Sequence, residues 1–114
     1  MKRTATLKEN YEFRRAYHKG KSCVTPPLVV YARPNRGARN RLGVTVSAKL
    51  GHAVVRNRVR RRLREIYRLA QPELKQGYDL VLVARSRAVD APYAALEQAF
   101  RRCCGRLALW RDAP

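Results

Sequence analysis

Acidic residues are scarce in this chain: eight Asp and Glu stand against 26 Lys and Arg, a formal charge of +18. The eight are Glu9, Glu12, Glu65, Glu73, Asp79, Asp90, Glu97 and Asp112. Most fall on predicted exposed helix faces or at caps, so they offer no metal-binding constellation. Histidine is limited to His18 and His52, and cysteine to Cys23, Cys103 and Cys104. No C-x-x-C spacing or zinc-finger pattern is present, and no G-x-x-x-x-G-K segment could cradle a phosphate. Three thiols fit a reduced, cytoplasmic protein, and Cys103 continues a helical apolar stripe, which makes it a core residue. No apolar run approaches a membrane span. Met1-Lys2-Arg3 is followed by no apolar segment of the secretory type, so no leader is expected.

What remains is positive charge on a folded scaffold. The chain has 114 residues, which suits a single domain spanning 1–114. A hydrophobic content of 46% excludes a disordered basic tail. Arginine far outnumbers lysine, and guanidinium groups pair bidentately with phosphate. Six arginines fall between Arg56 and Arg64. Val55, Val59, Leu63, Ile66 and Ala70 interrupt them at spacings of 4, 4, 3 and 4, the period of one helix face. Arg56, Arg60, Arg64 and Arg68 then form a stripe, with Asn57 and Arg61 beside it and Arg58 and Arg62 on the other flank. An anchored helix with this much fixed charge is a surface for a polyanion.

The other elements follow from punctuation and period. Thr6-Leu7-Lys8-Glu9 has the capping-box pattern and predicts a helix reaching His18 or Lys19, closed by Gly20. Residues 22–33 look like strand, with Pro26-Pro27 confining the first part to an edge. Pro34 to Asn40 is a turn-rich basic loop, and Arg41 to Ser47 alternates as a second strand, Thr45 and Ser47 on its polar face. These two strands are expected to pair as a hairpin. The arginine helix spans about Ala53 to Leu69 and ends before Pro72. Tyr78 to Ala84 is a continuous apolar run, expected of a strand covered on both faces. Strand, helix and strand over 41–84 suggest a parallel crossover. Asp90 is placed to cap a last helix with Pro92 in its first turn, burying Tyr93, Leu96, Phe100, Cys103 and Leu107. Phe13 and Tyr17 stand four apart among arginines. Such rings either pack on the sheet or stack the bases of an unpaired nucleic acid. Tyr31 has the same two readings.

The run from Arg41 to Glu65 resembles the signature of the bacterial ribonuclease P protein subunit, in which a strand ending V-S-x-K precedes G-x-A-V-x-R-N-R-x-K/R-R. The matching positions are Val46, Ser47, Lys49, Gly51, Ala53, Val54, Arg56, Asn57, Arg58, Arg60 and Arg61. Leu7 to Gly20 is similar to the family's opening helix and Gly77 to Arg85 to its last strand. One departure is Ala48, where the family often has a second lysine. The resemblance implies an α/β sandwich of the ribosomal protein S5 domain 2-like kind. It has a mixed four-stranded sheet in the order α-β-β-β-α-β-α and a left-handed β-α-β crossover, against the general right-handed rule. It also implies a non-catalytic subunit of a tRNA 5′-processing endoribonuclease, whose partner RNA and bound Mg2+ do the chemistry. Arg56, Asn57, Arg58, Arg60, Arg61 and Arg64 would contact that catalytic RNA. Phe13, Tyr17, Tyr31, Ser47 and Lys49 would line a cleft for the 5′ leader of precursor tRNA. No metal ligand in the protein, no membrane and no obligate protein partner are expected.

A ribosomal or ribosome-assembly protein would share the size and charge but not the R-N-R signature. A protein-only ribonuclease would need His18 and His52 as general base and acid. A transcription regulator is disfavoured, because nothing here forms a helix-turn-helix.

Overall fold

The computed structural model describes residues 5–111. Its elements are α1 (Asn10–Lys19), β1 (Lys21–Val24), β2 (Leu28–Pro34), β3 (Arg41–Thr45), α2 (Ala53–Ala70), β4 (Tyr78–Ala84) and α3 (Tyr93–Arg106). The strands make one mixed sheet in the order β1-β2-β4-β3. β1 with β2 and β2 with β4 are antiparallel, and β3 with β4 is parallel, as the expected crossover requires.

The expected hairpin between the second and third strands does not form, because β4 lies between β2 and β3. The physical reason is coverage. β4 is apolar at nearly every position and Asp79 through Leu82 are buried, so it takes the central place where both faces and both edges are occupied. The hairpin instead joins β1 to β2 across Pro26-Pro27, closed by Thr25, whose N–H and Oγ1 both donate to the Leu28 carbonyl. β1 is an edge strand, as the prolines demand.

One face of the sheet carries the main core. Leu28, Val30, Ala32, Leu42, Leu80, Leu82 and Ala84 meet Val59, Leu63, Ile66, Tyr67 and Ala70 of α2 and Leu96, Phe100, Cys103 and Cys104 of α3. The buried side of α2 contributes about 1.5–3 kcal/mol for each fully buried aliphatic side chain. Like-charged arginines three or four apart cost about 0.2–0.5 kcal/mol per pair. Packing therefore wins, and the helix stays rigid under its charge. Among the described residues the opposite face is covered by α1, whose Phe13 and Ala16 pack with Leu7, Tyr31, Val81 and Val83.

α1 starts later than Thr6-Glu9 suggests. Thr6 bridges Leu42 in parallel, Leu7 N donates to Leu42 O, and Leu42 N donates to Ala5 O. These residues extend the edge of β3 and are not free to cap. Glu9 is the N-cap, and Glu12 accepts at Oε1 from the backbone N–H of Lys8 and of Glu9, both at 3.0 Å. Gly20 closes the helix in an extended conformation (φ −83°), not a left-handed one. Its lack of a side chain serves a close approach, since a Cβ there would lie 2.4 Å from Ala16 O and 2.9 Å from Ala32 O. In α3, Pro92 itself is the N-cap and Asp90 makes no cap bond. Asp90 sits too early and exposed, because the chain turns through Ser86–Ala88 and straightens only at the proline.

Glu12 and Asp79 are buried, although the sequence pattern puts most of the acids on exposed helix faces or at caps; Asp79 lies within the covered strand β4. Both face Arg41. Its Nε and Nη2 donate to the two carboxylate oxygens of Asp79 at 2.8 Å each, and Nη1 donates to Glu12 Oε2. Asn35 Nδ2 adds a third donor to Asp79 Oδ1 at 2.9 Å. The fork geometry fixes direction as well as strength. Backbone N–H groups of Glu9 and Lys8, and then Arg41, hold the Glu12 carboxyl below its usual value of 4.5. A depressed carboxyl contributes stability above its unfolded value, and that contribution is lost as pH falls through the folded value. Glu12→Gln is expected to lower stability at pH 7 by about 1–3 kcal/mol. It should also flatten the loss of stability below about pH 4.5. Urea unfolding at pH 7 and pH 3.5 checks this, and an unchanged acid limb would remove Glu12 as its source.

Candidate nucleic-acid interface

The segment before α2 bends at Gly51, whose φ of 144° disfavours a side chain. Ser47 opens a short 3-10 turn at Ala48–Leu50, its Oγ accepting from Lys49 N at 3.2 Å. α2 then begins at Ala53 with His52 as N-cap. Arg56 Nε donates back to Gly51 O at 3.1 Å, and Arg60 Nη1 donates to Asn57 Oδ1 at 3.2 Å. Asn57, Arg60, Arg61, Arg64 and Glu65 line one shallow depression. Arg58, Arg61 and Arg64 are exposed and make no hydrogen bond or ion pair among the described residues.

Two arginines of the run do other work. Arg62 Nη1 donates to Ala91 O at 3.3 Å, which ties α2 to the turn entering α3. Arg68 pairs with Glu65 one turn earlier. The interface set therefore ends at Arg64. His18 lies in the last turn of α1 and His52 is the N-cap of α2; both are exposed, and neither makes a side-chain hydrogen bond or ion pair among the described residues.

The second surface lies on the α1 face. Strand register sets Ser22, Tyr31, Val81 and Gly43 in one row, and Val24, Val29, Val83 and Thr45 in the next. α1 crosses the first row. Phe13 is seated on Gly43, where a Cβ would fall 2.5 Å from its Cε1. Tyr17 and Tyr31 meet edge to face at 4.9 Å, and the Tyr17 and Thr45 hydroxyls are 3.2 Å apart. Past that point the sheet is less covered: Val29 and Val83 are half-buried and Val24 is exposed. This partly covered strip of aliphatic side chains beside the Tyr17–Tyr31 pair is called the trough below.

The structure thus brings Phe13, Tyr17 and Tyr31 together. Phe13 is half-buried and acts largely as packing, while Tyr17 is 37% exposed. Ser47 and Lys49 are exposed beyond the end of β3, two and four positions past Thr45. Thr45 and Gly43 were not picked out in advance as site residues. The alternation of β3 did put Thr45 on the polar face, which was the available signal. Among the described residues no group of three or more His, Cys, Asp or Glu is placed to hold a metal ion. The two buried acids are already engaged by Arg41.

A family model described as Ribonuclease P matches residues 1–108. The chain belongs to the ribonuclease P family. A relative named ribonuclease P protein component from Natranaerobius thermophilus is 45% identical over 102 residues, covering 90% of this chain and 89% of that one. Another so named, from Alkaliphilus oremlandii, is 42% identical over 99% of both chains. Among solved structures, the Staphylococcus aureus RNase P protein superposes with a TM-score of 0.86 at 29% identity, covering 96% of this chain and all of that one. The Thermotoga maritima RNase P protein gives 0.78 at 26% identity, covering 96% and 98%. These similarities bear out the α-β-β-β-α-β-α order and the mixed four-stranded sheet. Among the described residues no helix is long and apolar enough to cross a membrane.

In this ribonuclease P chain the seat of Phe13 fixes the wall of the trough. Gly43→Ala is expected to destabilise the fold by about 1–3 kcal/mol through overpacking. Adding Phe13→Leu should recover part of that loss. Thermal melts of the single and double variants decide it, and equal melts for Gly43→Ala and the parent would mean the seat is not tight.

Proposed function

We propose that this chain is the protein subunit of a ribonuclease P ribonucleoprotein, binding the catalytic RNA through α2 and the 5′ leader of precursor tRNA through the α1 trough. The observation that carries this reading is the set Arg58, Arg61 and Arg64, presented on a packed helix with no ion pair among the described residues. A helix held by a packed core keeps its guanidinium groups at fixed spacing, which suits the phosphates of a folded RNA. Arg56, Asn57 and Arg60 are themselves held by hydrogen bonds, Arg56 to Gly51 O and Arg60 to Asn57.

The trough suits a different ligand. Aromatic rings beside aliphatic floor and basic rim favour unpaired bases, whose faces stack at about 1–3 kcal/mol each. Tyr17 and Tyr31 offer the rings, with Phe13 behind them. Thr45 and Ser47 offer hydroxyls, and Lys49 a phosphate contact. α1 and α2 lie on opposite faces of the sheet, so both RNAs can be held at once. The segment 46–52 joins the two surfaces.

In this reading the protein cuts nothing itself. Mg2+ held mainly by the partner RNA would supply the activation of water and the charge stabilisation that the cut requires. The protein's own residues position the leader and neutralise phosphates, lowering the magnesium needed to hold RNA and substrate together. Endonucleolytic removal of the leader then leaves the mature tRNA 5′ end. The work is placed in the cytoplasm, with no obligate protein partner.

The test is cleavage of 5′-labelled precursor tRNA at low magnesium, with catalytic RNA alone, protein alone and both. Accurate 5′ maturation only with both is expected. Cleavage by the protein alone would instead support a nuclease using His18 and His52, and RNA binding without cleavage in any mixture would indicate ribosome assembly. If about six phosphates are engaged, affinity for the catalytic RNA should fall on the order of 10³-fold between 50 and 200 mM salt. Filter binding across that range measures it, and a shallow slope would exclude a phosphate-dominated interface.

A further inference from the structure

The arginines of the loop between β2 and β3 belong to neither surface. Arg39 is exposed, and its side chain makes no hydrogen bond or ion pair among the described residues. It lines a groove with Ala38, Arg68, Gln71, Pro72, Gln76 and Arg111. Arginines from three separate parts of the chain thus line it: Arg39 of the β2–β3 loop, Arg68 of the last turn of α2, which also pairs with Glu65, and Arg111 after α3. Among the described residues no carboxylate and no aromatic ring lines the groove, and Glu65, the partner of Arg68, lies outside its lining.

The groove is built, not a chance meeting of mobile side chains. Asn35 holds the loop through Nδ2 to Arg39 O at 3.1 Å and Oδ1 from Gly37 N at 2.7 Å. Asn40, only 1% exposed, donates from Nδ2 to Lys75 O and accepts at Oδ1 from Tyr78 N, both at 2.8 Å. Its N–H donates to Gln76 Oε1 at 3.2 Å, which fixes one wall. Arg111 is held by its N–H to Glu73 O at 2.8 Å and by Nη1 to Pro72 O at 3.1 Å. Loop, helix end and C-terminal segment are therefore mutually braced before any ligand arrives.

We infer that this groove is a second phosphate-binding site, taking the sugar-phosphate backbone of the same catalytic RNA that α2 faces. The inference rests on the reading of α2 given above. Guanidinium and amide donors without rings suit phosphate and ribose contacts, not bases, so the site positions RNA without reading sequence. Along α2, Gln71 lies roughly 20 Å from Asn57 at about 1.5 Å per residue. One RNA lying along the helix reaches both ends, whereas a strand in the α1 trough lies across the sheet.

The test measures the dissociation constant of the protein for its catalytic RNA over a range of KCl, with backbone footprinting of the complex. The proteins are the parent, Arg39→Glu, Arg39→Glu with Arg111→Gln, and Arg61→Ala. Circular dichroism melts report folding, and Arg39→Glu alone keeps the test valid if the double variant melts early, because the Arg39 side chain holds nothing in place. Arg39→Glu is expected to weaken binding about tenfold at 150 mM KCl and to lower the salt slope by about 1. It should also expose an RNA segment other than the one exposed by Arg61→Ala. Parent-like affinity and slope in the Arg39 variants, with loss in Arg61→Ala, would overturn the groove and leave the α2 reading standing. Parent-like binding in all of them would overturn both. Normal assembly with weaker precursor tRNA binding by the holoenzyme would reassign the groove to the substrate and overturn the inference as stated.

Discussion

The arrangement of this protein depends on one guanidinium group. Arg41 stands at the start of β3 and grips Asp79 on the neighbouring strand and Glu12 on the first turn of α1. Asp79 is almost wholly buried, so its charge must be matched, and Arg41 with Asn35 matches it. Arg41 remains partly exposed, which limits what the pairs add to stability. Their greater effect is positional. They pin the start of α1 over one end of the sheet, and the Phe13 seat on Gly43 and the Tyr17–Thr45 contact set its course from there. The far rows of the sheet stay partly open as a result.

The sheet then acts as a partition. Its main core binds α2 and α3 on one side, which makes the basic helix rigid. Its other side offers strand surface that α1 only half covers. A single layer of four strands thus keeps an arginine-rich surface apart from a ring-lined one, while the 46–52 segment links them through the backbone. Ligand on one face need not disturb the packing of the other.

Much of this was legible in order of residue number, and the failures share a cause. α2 was readable because five apolar positions at helical spacing outweigh any local ambiguity, and all but half-buried Val55 are buried. β4 was readable as doubly covered from its unbroken apolar run. The hairpin was misread because neighbours in sequence are the default partners, and nothing in residues 28–47 reveals that β4 inserts between them. The first cap was misread because Thr6 is claimed by the edge of β3, some 36 positions away. Arg41 was invisible as a hub for the same reason: Glu12 and Asp79 lie 29 and 38 residues from it. For the trough, the residues alone left Phe13, Tyr17 and Tyr31 open between core and ligand contact. In the structure Phe13 is half-buried on Gly43, while Tyr17, partly exposed, meets half-buried Tyr31 edge to face.

The unpaired arginines of α2 also bear on the free protein. With +18 overall and few acids to compensate, the folded chain confines mutually repelling charge that the expanded chain would spread apart. Added salt screens that repulsion within about 10 Å at 0.1 M. On the function proposed above, the same salt competes with the protein for phosphate. Ionic strength therefore acts with opposite sign on the two equilibria, firming the isolated subunit while loosening its complex. The medium that best preserves the protein in solution is for that reason the one in which it assembles least well.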